Sequence, residues 1–180
     1  MNTDTAFEID IRPIDINERP ILRNLMELYQ YDFSEFDSAD LSPMGIYDYP
    51  YLDHYWTEPD RSPFLVRVNN MLAGFVLVSR YNYFTGDKDS WVLSEFFIMR
   101  KYRHKGVGEF VAGQIFDRFS GDWQVSQIPE NAEATAFWRK VIRRYTHGNF
   151  REYNLDNEHW RGPIQTFSSP ATKRDTLPGD

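Results

Sequence analysis

The residues that could do chemistry begin with a basic turn that contains glycines. The run Arg100-Lys101-Tyr102-Arg103-His104-Lys105 follows an apolar stretch and leads through Gly106-Val107-Gly108 into a helical pattern. The first amide groups of a helix have no intrahelical partner, and the helix dipole makes them partly positive. Glycines let an anion approach that backbone closely. The spacing favours an anion-binding cradle over residues 104–109, and the simpler alternative is a basic turn that only precedes a helix.

Two common phosphate-binding motifs are absent from this stretch. The chain has no G-x-x-x-x-G-K-S/T sequence, which excludes a P-loop. It has no G-x-G-x-x-G sequence after the strand, which excludes the dinucleotide fingerprint. An anion-binding loop at this position would therefore be neither a P-loop nor a dinucleotide-binding turn.

The composition limits the classes of function further. The 180 residues include no cysteine, which excludes disulfides, thiolate zinc sites and cysteine nucleophiles. The four histidines are scattered without ligand spacing, so no metal site is expected. A net charge of −7 argues against nucleic-acid binding and favours a cationic small partner. No apolar run reaches the length of a membrane span, and the first residues lack the features of a secretion signal, so we expect a cytoplasmic protein.

The elements that must position the cradle follow from hydrophobic periodicity. Strands are predicted at residues 7–14, 64–68, 71–81, 91–99, 123–128, 149–155 and 160–167. Helices are predicted after the N-cap candidates Asn17 and Asn131, and directly after the glycine turn. We expect an α+β (mixed α/β) single domain over residues 1–168, with a central, mostly antiparallel mixed sheet flanked by helices. Residues 169–180 are predicted to form a flexible tail.

Residues 29–60 form an acidic aromatic segment. Tyrosine, phenylalanine and tryptophan alternate there with aspartate and glutamate, and the segment has no lysine or arginine. Its prolines and glycine interrupt regular structure, although a short helix is predicted at residues 52–56. The segment is interpreted as either a packed lid with a solvated face or the wall of a substrate site. Aromatic faces and carboxylates suit an ammonium group.

Two motifs together resemble the GNAT superfamily, the Gcn5-related N-acetyltransferases. Arg103-x-x-Gly106-x-Gly108 resembles the acyl-CoA pyrophosphate loop of that superfamily, Arg/Gln-x-x-Gly-x-Gly/Ala. Downstream, the stretch from Asn131 to Lys140 resembles the N-x-x-A-x-x-F-Y-x-K segment. The element order is also similar, and residues 94–99 are similar to a strand of the diamine and polyamine acetyltransferases.

The resemblance implies a site for acetyl-CoA as cosubstrate, without a metal. It implies that the pyrophosphate binds to the backbone amides of His104, Lys105, Gly106, Val107, Gly108 and Glu109, with added charge from Arg103 and Lys105. Phe97 and Ile98 would pair with the pantetheine arm at the point where their strand splays from the next. Asn131, Phe137 and Trp138 complete the implied cofactor contacts.

The resemblance transfers less directly to the catalytic residues. A general base is needed to take a proton from the amine, and Glu95 is the only carboxylate in its strand, so Glu95 is the candidate. A solvent-facing acid or a partner for an arginine is the alternative role for Glu95. The usual tyrosine acid is replaced by Trp138, whose indole N–H is not a practical acid. Either the acid is missing and the thiolate leaves unassisted, or Tyr145 or another tyrosine replaces it.

The predicted function is transfer of an acetyl group from acetyl-CoA to a primary amine of a small molecule or peptide. The acceptor is expected to be cationic and to contact Tyr31, Phe33 and Glu35, since the region after the first helix flanks the acceptor cleft in this family. The alternative is an acyl-CoA-binding sensor or regulatory module with little catalysis. The oligomeric state stays open, with a homodimer among the alternatives.

Overall fold

A seven-stranded sheet with helices forms the architecture of the computed structural model, which describes residues 7–170. The strands are β1 (Ile9–Pro13), β2 (Ser62–Val68), β3 (Met71–Arg80), β4 (Trp91–Ile98), β5 (Gly121–Ser126), β6 (Arg151–Asp156) and β7 (Arg161–Ser169). The helices are α1 (Arg19–Phe33), α2 (His54–Thr57), α3 (Val107–Arg118) and α4 (Ala132–Tyr145). The strand order is β1-β2-β3-β4-β5-β7-β6, and β4 pairs with β5 in parallel through Trp91–Trp123 and Val92–Gln124. The predicted mixed α/β fold class is confirmed.

Two compact units divide the described chain. Residues 7–79 and 93–108 form the first unit, and residues 80–92 and 109–170 form the second. The chain passes from one unit to the other near the end of β3, within β4 and within the first turn of α3. The base candidate Glu95 and the cradle loop up to Gly108 therefore belong to the first unit.

A two-residue hairpin joins β2 and β3 in the first unit. Asn69 and Asn70 both adopt positive φ, +49° and +63°, which is the backbone that matches the twist of a tight hairpin. Across the hairpin, the register shifts between Val66 and Arg67, and Val66 pairs with Gly74. A Cβ atom on Gly74 would lie 3.0 Å from the carbonyl carbon of Phe97 and closer still to its oxygen. Glycine at position 74 thus allows the backbone of β4 to approach β3.

The apolar side chains of helix α1 form part of the core of the first unit. Leu22, Leu25 and Met26 lie in a core that includes Phe75 of β3 and Phe97 of β4. This burial is what orients the polar side chains of α1 that are described below.

The start of α1 differs from the prediction that Asn17 caps it. Asp15 instead accepts a hydrogen bond from the backbone of Asn17 and forms a capping box with Glu18 at a 3-10 turn, Ile16–Glu18. Pro20 lies in the first turn of α1, where proline is well tolerated. The cap was misplaced because an additional turn precedes the helix.

In the second unit, α4 packs against β7. Asn131 caps α4 by accepting a hydrogen bond from the amide of Ala134 at 2.9 Å, as predicted. α3 ends at Arg118, and β5 begins at Gly121. β7 extends to Ser169, while residues 171–180 of the predicted tail lie outside the described residues. No helix within residues 7–170 is long and apolar enough to cross a membrane.

Candidate active site

The carboxylate of Glu95 lies between two tyrosine hydroxyls. Glu95 is half-buried near the middle of β4. Its Oε2 accepts a hydrogen bond from Tyr29 Oη at 2.5 Å, and its Oε1 accepts one from Tyr49 Oη at 3.0 Å. Tyr29 belongs to α1 and Tyr49 to the acidic aromatic segment. Each oxygen of the carboxylate keeps a further lone pair for a substrate proton.

Burial decides the charge of Glu95. Removal from water raises the pKa of the Glu95 carboxyl, and hydrogen bonds from Tyr29 and Tyr49 oppose that effect, with the net result that the pKa is about 7. General acid–base catalysis is most efficient when the pKa of the catalytic group is close to the working pH, so this pKa suits proton transfer at neutral pH. The alternative role of Glu95 as a solvent-facing acid or an arginine partner does not fit this position.

The two tyrosines act as donors and not as acids. Burial, followed by the charge of Glu95, raises the pKa of both Tyr29 and Tyr49 above the ordinary tyrosine value. Their hydroxyls therefore stay protonated at neutral pH and donate to the carboxylate. Tyr29 is held in place by aromatic packing, with ring centroids 5.8 Å from Phe75 and 5.9 Å from Phe97.

The three residues that were predicted to contact the acceptor substrate differ in their exposure to solvent. Tyr31 is 69% exposed and Glu35 is also exposed, while Phe33 is half-buried between the rings of Tyr29 and Phe36. α1 extends through Phe33, so the first residues of the acidic aromatic segment are helical. The sequence did not single out Tyr29 and Tyr49, which the structure brings to Glu95. Both lie in the segment that was recognised as unusual, and that composition was the available signal.

The glycine turn forms an open loop before α3. His104 and Gly106 have positive φ, +59° and +80°. A Cβ atom on Gly106 would meet no heavy atom within 4 Å, so the space on that side of the loop is open. α3 begins at Val107, and the amides of its first turn lack intrahelical acceptors. His104 and Lys105 are exposed beside them. The loop therefore fits a phosphate group by backbone shape, amide donors and side-chain charge.

Arg103 contacts protein groups on both sides of the loop, and its predicted contribution to phosphate binding stays a prediction. Its Nε donates to the carbonyl oxygen of Ile98 at 2.7 Å, and its Nη2 pairs with Asp32 near the end of α1. Arg100 pairs with the same carboxylate at 2.8 Å. Burial disfavours the charge of Asp32, but the hydrogen bonds from Arg103 and Arg100 outweigh burial, and the pKa of Asp32 lies below its usual value. The guanidinium of Arg103 thus fastens the loop to α1 in this structure.

The Asp32→Ala variant is expected to bind CoA about tenfold more weakly. The substitution frees Arg100 and Arg103, so the loop must be ordered when CoA binds, at a cost of about 1.4 kcal/mol. Calorimetric titration with CoA measures the dissociation constant. Asp53→Ala is the control. It also removes an ion pair with an arginine of α1, because the exposed Asp53 pairs with Arg19. Tighter binding by Asp32→Ala would mean that the released positive charge, and not loop order, dominates.

Four residues of the implied cofactor site lie in the second unit. Phe137 is half-buried, and Trp138 is buried, with its ring 6.4 Å from that of Phe116. Glu109 accepts two hydrogen bonds from Arg144. Asn131 is the α4 cap, which leaves its implied cofactor contact a prediction.

Tyr145 is poorly suited to the role of general acid. Its hydroxyl donates to Asp117 Oδ1 at 2.8 Å. Burial and this carboxylate both raise the pKa of Tyr145 above the ordinary tyrosine value. A tyrosine with a raised pKa gives up its proton less readily, so the geometry does not favour Tyr145 as the acid.

Comparison with known proteins identifies the family. Residues 22–142, more than half of the chain, match the acetyltransferase (GNAT) family. The chain therefore belongs to the GNAT acetyltransferase family. Membership makes the protein an N-acetyltransferase with acetyl-CoA as cosubstrate, and the predicted superfamily, enzyme class and cosubstrate are confirmed. A search of curated proteins found no match.

Solved structures share the fold at low sequence identity. An acetyltransferase from Thermus thermophilus has a TM-score of 0.65 and 15% identity, covering 89% of this chain and 96% of that chain. A GNAT-family acetyltransferase from Staphylococcus aureus has a TM-score of 0.62 and 15% identity, covering 91% and 100%. Spermidine N-acetyltransferase from Vibrio cholerae, in complex with CoA and spermine, has a TM-score of 0.57 and 13% identity, covering 89% and 95%. These similarities establish the fold.

No group of three or more histidine, aspartate or glutamate side chains within residues 7–170 is placed to hold a metal ion.

Proposed function

We propose that the protein acetylates a primary amine of a small cationic molecule, with Glu95 as the general base. The observation that carries the proposal is the half-buried Glu95 carboxylate, with a pKa of about 7, between Tyr29 and Tyr49. A base of this strength is ionised in about half of the molecules at pH 7 and can still accept a proton.

The surroundings of Glu95 favour an acceptor that carries positive charge. Tyr29 and Tyr49 present aromatic rings and hydroxyl oxygens near the carboxylate. The acidic aromatic segment adds exposed carboxylates, among them Glu35, Asp37 and Asp48, and contains no lysine or arginine. Aromatic rings and carboxylates attract ammonium groups. The spermine complex of the similar Vibrio cholerae enzyme agrees with an acceptor of this kind.

Glu95 performs the proton transfer in the proposed mechanism. Its carboxylate takes a proton from the ammonium form of the acceptor, and the nitrogen lone pair becomes available for acylation. Bound acetyl-CoA supplies the acetyl group as a thioester. The new C–N bond forms as the C–S bond breaks, the thiolate leaves, and the second proton of the nitrogen passes to the thiolate through solvent. The loop from His104 to Gly108 and the first amides of α3 hold the phosphate groups, so that the thioester and the amine are oriented together.

Thiol release from acetyl-CoA, measured with pairs of amines, tests the proposal. Each pair contains a diamine and a monoamine of the same chain length, so that only the second ammonium group differs. We expect kcat/KM to be at least about tenfold higher for the diamine, because one charge contact is worth about 1.4 kcal/mol in a partly desolvated site. Equal values would remove the cationic acceptor from the proposal, and absence of thiol release with every amine would overturn amine acetylation.

A further inference from the structure

Both oxygens of the Glu95 carboxylate are engaged by tyrosines from different parts of the chain. Tyr29 lies in α1, and Tyr49 lies in the irregular segment between α1 and α2. One hydroxyl donates to each oxygen, at 2.5 Å and 3.0 Å. Hydrogen bonds to a carboxylate stabilise its ionised form and fix its plane.

The position of Tyr49 is itself set by α1. Glu27 Oε2 accepts a hydrogen bond from the amide of Tyr47 at 2.9 Å, and Arg23 Nη2 donates to the carbonyl oxygen of Tyr47. Gln30 Nε2 donates to the carbonyl oxygen of Asp48 at 3.0 Å. Three side chains of one helix therefore hold the backbone immediately before Tyr49. The same helix carries Tyr29, so α1 places both donors.

We propose that Tyr29 and Tyr49 are positioning residues that keep the Glu95 carboxylate ionised and oriented toward the acceptor amine. The proposal rests on the proposed role of Glu95 as general base. The two tyrosines act through Glu95 and do not themselves exchange a proton with the acceptor. Without them, burial would leave Glu95 protonated at neutral pH. A protonated carboxyl group cannot take a proton from the amine and so cannot act as the base.

Few other charges lie close enough to replace the two hydrogen bonds. Tyr55 of α2 is buried and faces the same carboxylate, and its protonated hydroxyl carries no charge. Arg61 is next to Tyr55, with its guanidinium carbon 5.4 Å from the ring centroid. Asp37 lies near Tyr29, and its charge would disfavour ionisation of Glu95. The stabilisation of the Glu95 carboxylate therefore depends mainly on Tyr29 and Tyr49.

The pH profiles of Tyr29→Phe and Tyr49→Phe test the proposal. With one fixed diamine, the apparent pKa of the basic group in kcat/KM is expected to rise by about one unit in each variant, since a hydrogen bond to a charged group is worth about that much. At pH 7 this shift lowers kcat/KM about fivefold, and at a pH about two units higher most of the loss is expected to be recovered. A purely structural defect would lower activity equally at every pH.

Tyr153→Phe is the matched control, because it removes a hydroxyl from a partly exposed tyrosine of β6 and should leave the profile unchanged. Thermal unfolding with and without CoA shows that each variant folds and retains the cofactor site. Unshifted profiles in both variants, with activity lost in Glu95→Gln, would overturn the positioning role alone. Activity retained in Glu95→Gln would overturn the proposed base, and the positioning role with it.

Discussion

The Glu95→Gln variant is expected to transfer acetyl groups at least about a hundredfold more slowly than the unsubstituted protein, because general bases typically contribute that much or more. Glutamine keeps the size of the side chain and can still accept a hydrogen bond from a tyrosine, but it cannot take a proton from the amine. The measurement is kcat/KM from thiol release, together with the dissociation constant for CoA. Unchanged CoA binding with lost turnover assigns the effect to proton transfer.

The unsubstituted enzyme should also lose activity as the pH falls. The working form of Glu95 is the carboxylate, so kcat/KM declines below the pKa of about 7. An enzyme whose rate falls only below about pH 5 would have a base with an ordinary carboxyl pKa and would contradict this role of Glu95.

The Glu95→Gln substitution should make the fold more stable than that of the unsubstituted protein at alkaline pH. The pKa of Glu95 is raised from an ordinary 4.5 to about 7 in the folded protein, so the folded state binds the proton more tightly than the unfolded chain. The resulting stability is fully present below pH 4.5 and is lost as the pH rises through about 7. The loss amounts to at most about 3 kcal/mol. Urea unfolding at about pH 5 and about pH 8 should show this decline in the unsubstituted protein and a smaller one in Glu95→Gln.

Gly74→Ala is expected to destabilise the fold by about 3 kcal/mol or more, the upper range for overpacking. Its Cβ would meet the carbonyl group of Phe97, and that carbonyl belongs to the backbone of the strand that carries Glu95. Backbone cannot move aside as a flexible side chain can, so β3 and β4 must separate. The free energy of unfolding, measured in urea, gives the effect, and acetyl transfer should be lost in the same variant.

Gly113→Ala provides the matched control for this effect. Gly113 lies within α3, and a Cβ there meets no heavy atom within 4 Å outside its own helix backbone. Alanine in a helix interior is about 0.5–1 kcal/mol more favourable than glycine, so this variant should be slightly more stable. Equal free energies of unfolding for Gly74→Ala and Gly113→Ala would contradict the close approach of β4 to β3.

The local pattern of the sequence was enough to predict most of the fold. The alternation of apolar residues located the strands to within a few residues, and Asn131 was recognisable as a helix cap from its neighbours alone. The positive φ of Asn69 and Asn70 agrees with their residue type, because asparagine tolerates positive φ in a short turn. Asn17 was mistaken for a cap because Asp15, two residues earlier, has an equally suitable side chain.

The contacts that define the site were not predictable in the same way. Tyr29 and Tyr49 are separated from Glu95 by 66 and 46 residues, and a single sequence contains no signal for such pairs. Arg103 suggested a phosphate contact because of its neighbours, while its partner Asp32 lies 71 residues earlier. Burial of Glu95, which sets its pKa, depends on the packing of α1 over the sheet and therefore on the whole first unit.

The passage of the chain between the two compact units limits how this enzyme can be divided. The chain crosses from one unit to the other three times, after residues 79, 92 and 108. A single cut anywhere in residues 7–170 therefore leaves no fragment with all of one unit and none of the other. Truncation between β3 and β4 would separate Glu95 from Tyr29 and Tyr49, and truncation between β4 and β5 would separate β4 from its neighbour β5. Neither unit is a continuous stretch of the chain, so a single truncation cannot produce either unit by itself.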